Sequence, residues 1–270
     1  MWCLKNAQVM TDLVSLQDRA VQYGDGCFST LRLRQGRIEL YERHLQRLKQ
    51  NAACLHLQVN WQDLSRSLAY LQQEQPQATG TLKILISRGE GQRGYSLPEH
   101  PADLYVFFYP QVFDVHAYSH IESGCLQQAL GLTMPALVGV KSLNRLEQVL
   151  LKQEADQQHW SEALVTDVQG HLVEGVSSNC FIFKNDRWIT PELRYNGVHG
   201  VMRAEILARM HDHQVVCEQR TILKQELQDI DALFFCNALH AMKIVTQLDQ
   251  QPLHPQPCMD LFHTLQLAHI

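Results

Sequence analysis

Short β-rich runs closed by turn pairs constrain this chain more than any other feature, because they fix where the backbone reverses. Asp25-Gly26 opens the run Cys27-Phe28-Ser29-Thr30-Leu31-Arg32-Leu33, and Gln35-Gly36 turns it back into Arg37-Ile38-Glu39-Leu40. Thr81 to Ser87 and Asp103 to Tyr109 read as further strands. Between these runs, Leu45, Leu48, Ala52 and Leu55 recur at three- and four-residue spacing and predict a helix from His44 to Leu57. A second helix is expected from Trp61 to Gln73, and Glu74 to Gly80 is a polar linker. The first part of the chain is therefore α+β.

The strand run ends in the stretch from Pro110 to Glu122, where a boundary is expected. At roughly 150 residues per domain, 270 residues suggest two. We expect a small α+β domain over 1–115 and a larger, strand-rich domain over 116–270. In the latter, Ala163 to Thr166 and a meander from His171 to Thr190 turn at Gln169-Gly170 and Asn185-Asp186. Val201 to Met210 reads as a helix, Ile230 to Val245 as a long apolar stretch, and the tail after Pro255 as a last helix.

Composition narrows the partners. With 23 Lys+Arg against 28 Asp+Glu the formal net charge is -5, and no basic face is visible, so nucleic acid is not an expected partner. No apolar run approaches the roughly 20 residues that a membrane span needs. The start Met1-Trp2-Cys3-Leu4-Lys5 has neither the basic residues nor the apolar stretch of a signal peptide. Eight cysteines without a C-x-x-C pair, several in settings such as Phe234-Phe235-Cys236, predict a reduced, cytoplasmic chain.

Two motifs carry little. Gly89-Glu90-Gly91-Gln92-Arg93-Gly94 matches G-x-G-x-x-G, but Tyr95-Ser96-Leu97-Pro98 cannot open the helix that a dinucleotide site requires. His211-Asp212-His213 places its histidines on different helix faces with no third ligand near, so no metal is expected.

Of eight lysines, Lys141 stands apart. It follows Ala136-Leu137-Val138-Gly139-Val140 and precedes a helical pattern with apolar residues at 143, 146, 149 and 150, for which Ser142 or Asn144 is the expected N-cap. Apolar neighbours and a helix N-terminus both disfavour an ammonium, which suits an amine nucleophile. Glu174, in Leu172-Val173-Glu174-Gly175-Val176, is a carboxylate among apolar residues. It is either a strand-edge glutamate or the partner of a cation such as a protonated pyridine nitrogen. Gly197-Val198-His199-Gly200-Val201-Met202-Arg203 is a glycine-bracketed turn into a helix, either a plain turn or an anion site.

Together these segments resemble the fold-type IV pyridoxal-phosphate enzymes, the class IV aminotransferase family. Glu174, Asn179, Phe181, Thr190, Val198, Gly200, Val201 and Arg203 match the family pattern in spacing. Val176 stands where a smaller residue is usual, and Trp188 where an aliphatic is usual. Asp18-Arg19-Ala20, Tyr23 to Phe28, His44-Leu45-Gln46-Arg47-Leu48, Ser87 to Tyr95, Gly139 to Leu150 and Cys236-Asn237-Ala238-Leu239 are most similar to the aminodeoxychorismate lyase branch.

The resemblance implies an α+β / α/β two-domain enzyme with pyridoxal 5'-phosphate between its domains. Lys141 would hold the cofactor and move protons. Glu174 would face the pyridine nitrogen. Arg47, otherwise a solvated helix arginine, would bind the phosphate with backbone groups at Val201, Met202 and Asn237. Arg93, Tyr95 and Thr30 would contact the substrate. The implied reaction converts 4-amino-4-deoxychorismate to 4-aminobenzoate and pyruvate in folate biosynthesis, and the implied assembly is a homodimer. Transamination of D-amino or branched-chain amino acids is the alternative. Phe28 and Ser29, where the D-amino acid enzymes carry tyrosine and glutamate, favour the lyase. A non-enzymatic regulator or scaffold would leave the coexistence of Lys141, Glu174 and the glycine turn unexplained.

Overall fold

The computed structural model describes residues 2–10, 14–113 and 118–270. In chain order the elements are β1 (Trp2–Lys5), β2 (Gln8–Val9), α1 (Arg19–Tyr23), β3 (Gly26–Arg34), β4 (Arg37–Ile38), α2 (Tyr41–Cys54), α3 (Trp61–Glu74), β5 (Gly80–Ser87) and β6 (Asp103–Pro110). There follow β7 (Tyr118–Ser123), α4 (Leu146–Gln157), β8 (Leu164–Thr166), β9 (Leu172–Gly175), β10 (Asn179–Lys184) and β11 (Arg187–Pro191). The chain ends with α5 (Val201–Asp212), β12 (Cys217–Arg220), β13 (Ala232–Asn237), β14 (His240–Leu248), β15 (Gln251–Pro252) and α6 (Gln256–Thr264). It divides into two compact units, Met1–Asp114 with Val140–Asn144, and Val115–Gly139 with Arg145–Ile270. The boundary expected between residues 115 and 116 falls at 114–117, outside the described residues.

In the first unit six strands run in the order β2-β1-β6-β5-β3-β4, every pair antiparallel. The period-two alternation sorts this sheet into two faces. Cys27, Leu31 and Leu33 of β3, Leu82, Ile84 and Ile86 of β5, and Leu104, Val106 and Phe108 of β6 are buried with Leu48 and Ala52 of α2 and Leu64 and Leu71 of α3. Burying one such side chain contributes about 1.5–3 kcal/mol, so this face anchors both helices. The other face carries Phe28, Thr30, Lys83, Leu85 and a stacked aromatic row, Tyr105, Phe107 and Tyr109, with centroids 6.2 and 6.3 Å apart.

Residues Val140–Asn144 cluster with the first unit, although the sequence reading placed them in the second. The reason is hydrogen bonding along the edge of β3 that short β4 leaves open. Phe28 N–H donates to Lys141 O at 3.0 Å, Leu143 N–H donates to Gly26 O at 3.0 Å, and Cys27 and Ser142 form an isolated bridge. That extended backbone cannot also begin a helix. α4 therefore starts at Leu146 with Arg145 as N-cap and no side-chain cap. Neither Ser142 nor Asn144 plays the expected capping role; the Asn144 amide instead donates to Gly24 O at 3.2 Å.

In the second unit β12-β11-β10-β13-β14-β15 form one sheet, with β7 parallel to β14, and β8 and β9 form a separate antiparallel pair. The apolar stretch from Ile230 resolves into the antiparallel strands β13 and β14, which turn after Asn237. α5 and α6 both pack on β13. Phe181 and Phe234 stack in the core at 4.9 Å. α4 buries Leu151 and Ala155 and leaves Leu146, Val149 and Leu150 exposed, so its regular apolar spacing marks a surface stripe.

Candidate active site

Within the first unit, Lys141 projects its Nζ to 4.7 Å from the centre of the Phe28 ring, and Lys83 reaches the same ring from β5 at 5.0 Å. Each ammonium gains from the ring's negative face. Register explains the grouping, since Thr30 pairs with Lys83 and Phe28 with Leu85, which puts all four on one sheet face. Burial lowers the Lys83 pKa. Lys141 lies on the extended segment beside β3, five residues before α4, so the apolar sheet face, and not a helix N-terminus, sets its surroundings.

Behind β3, on the core face, Ser29 meets α2. Arg47 Nη2 donates to Ser29 Oγ at 2.6 Å, and that oxygen lies 2.7 Å from His44 Nδ1. Arg47 is only 8% exposed, which removes the solvated alternative. Burial draws its pKa down to about 10, and its Nε is buried with no hydrogen-bond partner. Burial, then the charges of Arg47 and Lys141, pull the His44 pKa down to about 3, so the imidazole is neutral.

Arg93 and Tyr95 sit on the loop after β5. Arg93 is exposed, and Tyr95 is 87% exposed with its ring 5.8 Å from that of Tyr23. Their loop is tied down through Gly94, whose carbonyl accepts from Arg19 Nη1 at 2.9 Å and whose N–H donates to Tyr23 Oη at 3.0 Å. Arg19 in turn pairs with Asp25, which also holds Arg88. No helix follows Gly94.

Within the second unit, Glu174 of β9 is 6% exposed. Its Oε2 accepts from Asn179 Nδ2 at 3.1 Å and from Val198 N–H at 3.0 Å. Asn179 Nδ2 also donates to Val198 O, which locks the 197–200 turn to the strand. A Cβ on Gly200 would stand 1.9 Å from Asn179 Oδ1, so glycine is required there. The turn opens α5, whose N-cap Gly200 offers no side-chain cap. The first amides of that helix, Val201 and Met202 among them, therefore have no intrahelical acceptor. Arg203 is buried one turn on and donates to Thr190 Oγ1 and Pro191 O.

Glu162, which the sequence reading passed over, is fully buried beside this strand. Its carboxylate accepts from Ser177 N–H, Ser177 Oγ and Ser178 Oγ at 2.6–3.0 Å. Asn237 joins by donating to Ser178 Oγ at 3.1 Å, while its Oδ1 accepts from the N–H groups of Leu239 and His240. The sequence signals for Glu162, Ser29, His44 and Lys83 were slight. Only the alternation of Thr81 to Ser87 separated Lys83 from its apolar neighbours.

A two-unit α/β chain with a lysine on a sheet face, a buried arginine and a buried carboxylate beside a glycine-bracketed helix start defines the class of this protein. The chain belongs to the class IV aminotransferase family, whose profile matches residues 26–248. It is 34% identical to the aminodeoxychorismate lyase of Vibrio harveyi over 231 residues, 84% of each chain. It is 26% identical to the D-alanine aminotransferase of Staphylococcus aureus, over 89% of this chain and 86% of that one. Its fold superposes on the 4-amino-4-deoxychorismate lyase of Pseudomonas aeruginosa with a TM-score of 0.86 at 31% identity, covering 97% of this chain and 98% of that one.

Proposed function

We propose that this chain is a pyridoxal-phosphate-dependent lyase that converts 4-amino-4-deoxychorismate to 4-aminobenzoate and pyruvate. The observation that carries the reading is Lys141 held on the Phe28 ring beside Lys83 and Thr30, in a chain 34% identical to a lyase of that name. The residues present fit the cofactor. Arg47 is a buried guanidinium with an unpartnered Nε, as a phosphate site requires, and α5 opens on uncapped amides. When bound, the cofactor supplies an electron sink conjugated to the carbon that carries the substrate amine.

Lys141 would hold the cofactor covalently and, as an amine base, would take the proton from the amine-bearing ring carbon of the substrate. The bond between ring carbon and enolpyruvyl oxygen breaks, its electrons leave with that oxygen, and the enolpyruvyl methylene is protonated to give pyruvate. Aromatisation of the ring drives the step. Glu174, oriented by Asn179 and the Val198 N–H, would pair with the pyridine nitrogen and keep the ring an electron sink. In the first unit Arg47 would bind the phosphate; in the second, the amides of Val201 and Met202 and the Asn237 turn would be phosphate donors. Thr30 and Lys83 face the substrate, and Lys83 offers one of its two carboxylates a cation. Arg93 and Tyr95 are substrate contacts of the exposed loop.

The chain acts as a homodimer, supported by the exposed apolar stripe of α4. It works in the cytoplasm, supported by eight free cysteines. Among the described residues no helix is long and apolar enough to cross a membrane. The test is incubation with aminodeoxychorismate while following 4-aminobenzoate and pyruvate. Neither product, together with efficient pyruvate-to-alanine exchange, would replace the lyase with a transaminase. Borohydride reduction and peptide mapping should label Lys141, and a label on another lysine refutes its role.

A further inference from the structure

Ser29 and His44 have no part in the chemistry above, yet Ser29 is fully buried, His44 is 1% exposed, and Ser29 Oγ meets both His44 Nδ1 and the Arg47 guanidinium. A guanidinium can only donate, so the Ser29 oxygen accepts from Arg47. The hydroxyl's own proton, buried in the core, then needs an acceptor, and among the described residues His44 Nδ1 at 2.7 Å is the one in reach. Hydrogen bonding thus assigns the imidazole proton to Nε2 and gives the chain a single direction, Arg47 to Ser29 to His44. No carboxylate among the described residues pairs with Arg47, so the relay fixes the guanidinium while leaving its charge uncompensated.

We propose that Ser29 and His44 are positioning residues that hold Arg47 for an anionic ligand, with the neutral Ser29–His44 pair standing where a carboxylate would cancel the charge. The inference rests on the cofactor reading, which makes that anion the cofactor's phosphate. It follows that damage to the relay weakens the grip on the phosphate specifically and spares the rest of the ligand. A hydrogen bond to a charged group contributes about 1.5–3 kcal/mol, and about 1.4 kcal/mol is tenfold in affinity. Loss of the Ser29 hydroxyl is therefore expected to weaken phosphate-dependent binding at least about tenfold.

The experiment strips the full chain of cofactor and measures the dissociation constants of pyridoxal phosphate and of unphosphorylated pyridoxal for wild type, Ser29→Ala, Ser29→Thr and His44→Asn. The expected result is a wild-type preference for pyridoxal phosphate that falls at least tenfold in Ser29→Ala, returns in Ser29→Thr, and leaves pyridoxal affinity unchanged throughout. Equal weakening of both ligands would show a general packing effect and overturn the proposal. A strong wild-type preference that survives in Ser29→Ala overturns the relay and leaves the cofactor reading standing. Absence of any wild-type preference overturns both. Melting temperatures run alongside, and Ser29→Thr keeps the hydroxyl should the alanine variant fold poorly.

Discussion

His44 should make the chain acid-labile well above the range of ordinary carboxylates. Its ordinary value of 6.5 falls to about 3 in the folded state, first through burial and then through Arg47 and Lys141. The unfolded chain therefore binds a proton that the native chain refuses, so stability is complete above pH 6.5 and declines as pH falls toward 3. At pH 5 the unfolded state gains about 2 kcal/mol from this one proton, since each pH step below the unfolded value is worth about 1.4 kcal/mol. The assay compares urea unfolding of cofactor-free wild type and His44→Asn at pH 7.5 and pH 5.0. The cofactor-free chain is the correct sample, because a phosphate on Arg47 would offset one of the charges acting on the imidazole. Asparagine can accept from Ser29 without titrating, so other groups, His199 with its lowered pKa included, cancel in the comparison. Wild type should lose about 2 kcal/mol more than the variant between the two pH values. Parallel losses would refute the depressed pKa and the neutral imidazole with it.

Gly200→Ala should push Asn179 off Glu174, because its Cβ would meet Asn179 Oδ1 at 1.9 Å. A loss of about 1–3 kcal/mol is expected by denaturation, against no change for Gly131→Ala, where nothing lies within 4 Å of the new methyl. Glu162→Ala should leave the buried Ser178 hydroxyl proton without its acceptor and cost about 1–3 kcal/mol, read from the urea midpoint. Leu146→Lys with Val149→Lys should halve the mass seen by light scattering and leave the monomer's circular dichroism unchanged, since both positions are exposed in the single chain. Cys27, Cys236 and Cys258, pushed up to about 12 by burial, should resist iodoacetamide in the native protein by peptide mass mapping.

Local pattern carried α2, β3, β5 and β6, because each has a periodicity that survives whatever it packs against. The 3.6-residue spacing of Leu45, Leu48, Ala52 and Leu55 needed no knowledge of the sheet. Long-range pairing defeated the same reasoning at α4. Its start is fixed by bonds from Phe28 and Leu143 across more than a hundred residues of chain, which no local N-cap signal can report. The exposed stripe of Leu146, Val149 and Leu150 fails for a related reason, since spacing shows that apolar residues share a face and not what covers it. At the site, Lys141 and Glu174 stood out by chemistry among apolar neighbours. Arg47 looked like any helix arginine until its burial was visible, and Ser29, His44 and Lys83 acquire meaning only once register sets Thr30 against Lys83 and places Ser29 behind β3 toward α2.

The net charge of -5 conceals two opposite local arrangements. In the first unit a buried guanidinium is supported by a hydroxyl and a neutral imidazole, with no acid beside it among the described residues. In the second, the Glu174 carboxylate accepts from an amide side chain and a backbone N–H, and the charges of Glu174 and Arg145 act on one another. Neutral hydrogen-bond partners orient a charge without cancelling it, whereas a close ion pair would do both. Burying a charge costs several kcal/mol unless hydrogen bonds or an opposite charge offset it. Net charge bears on solubility and does not report these local interior arrangements.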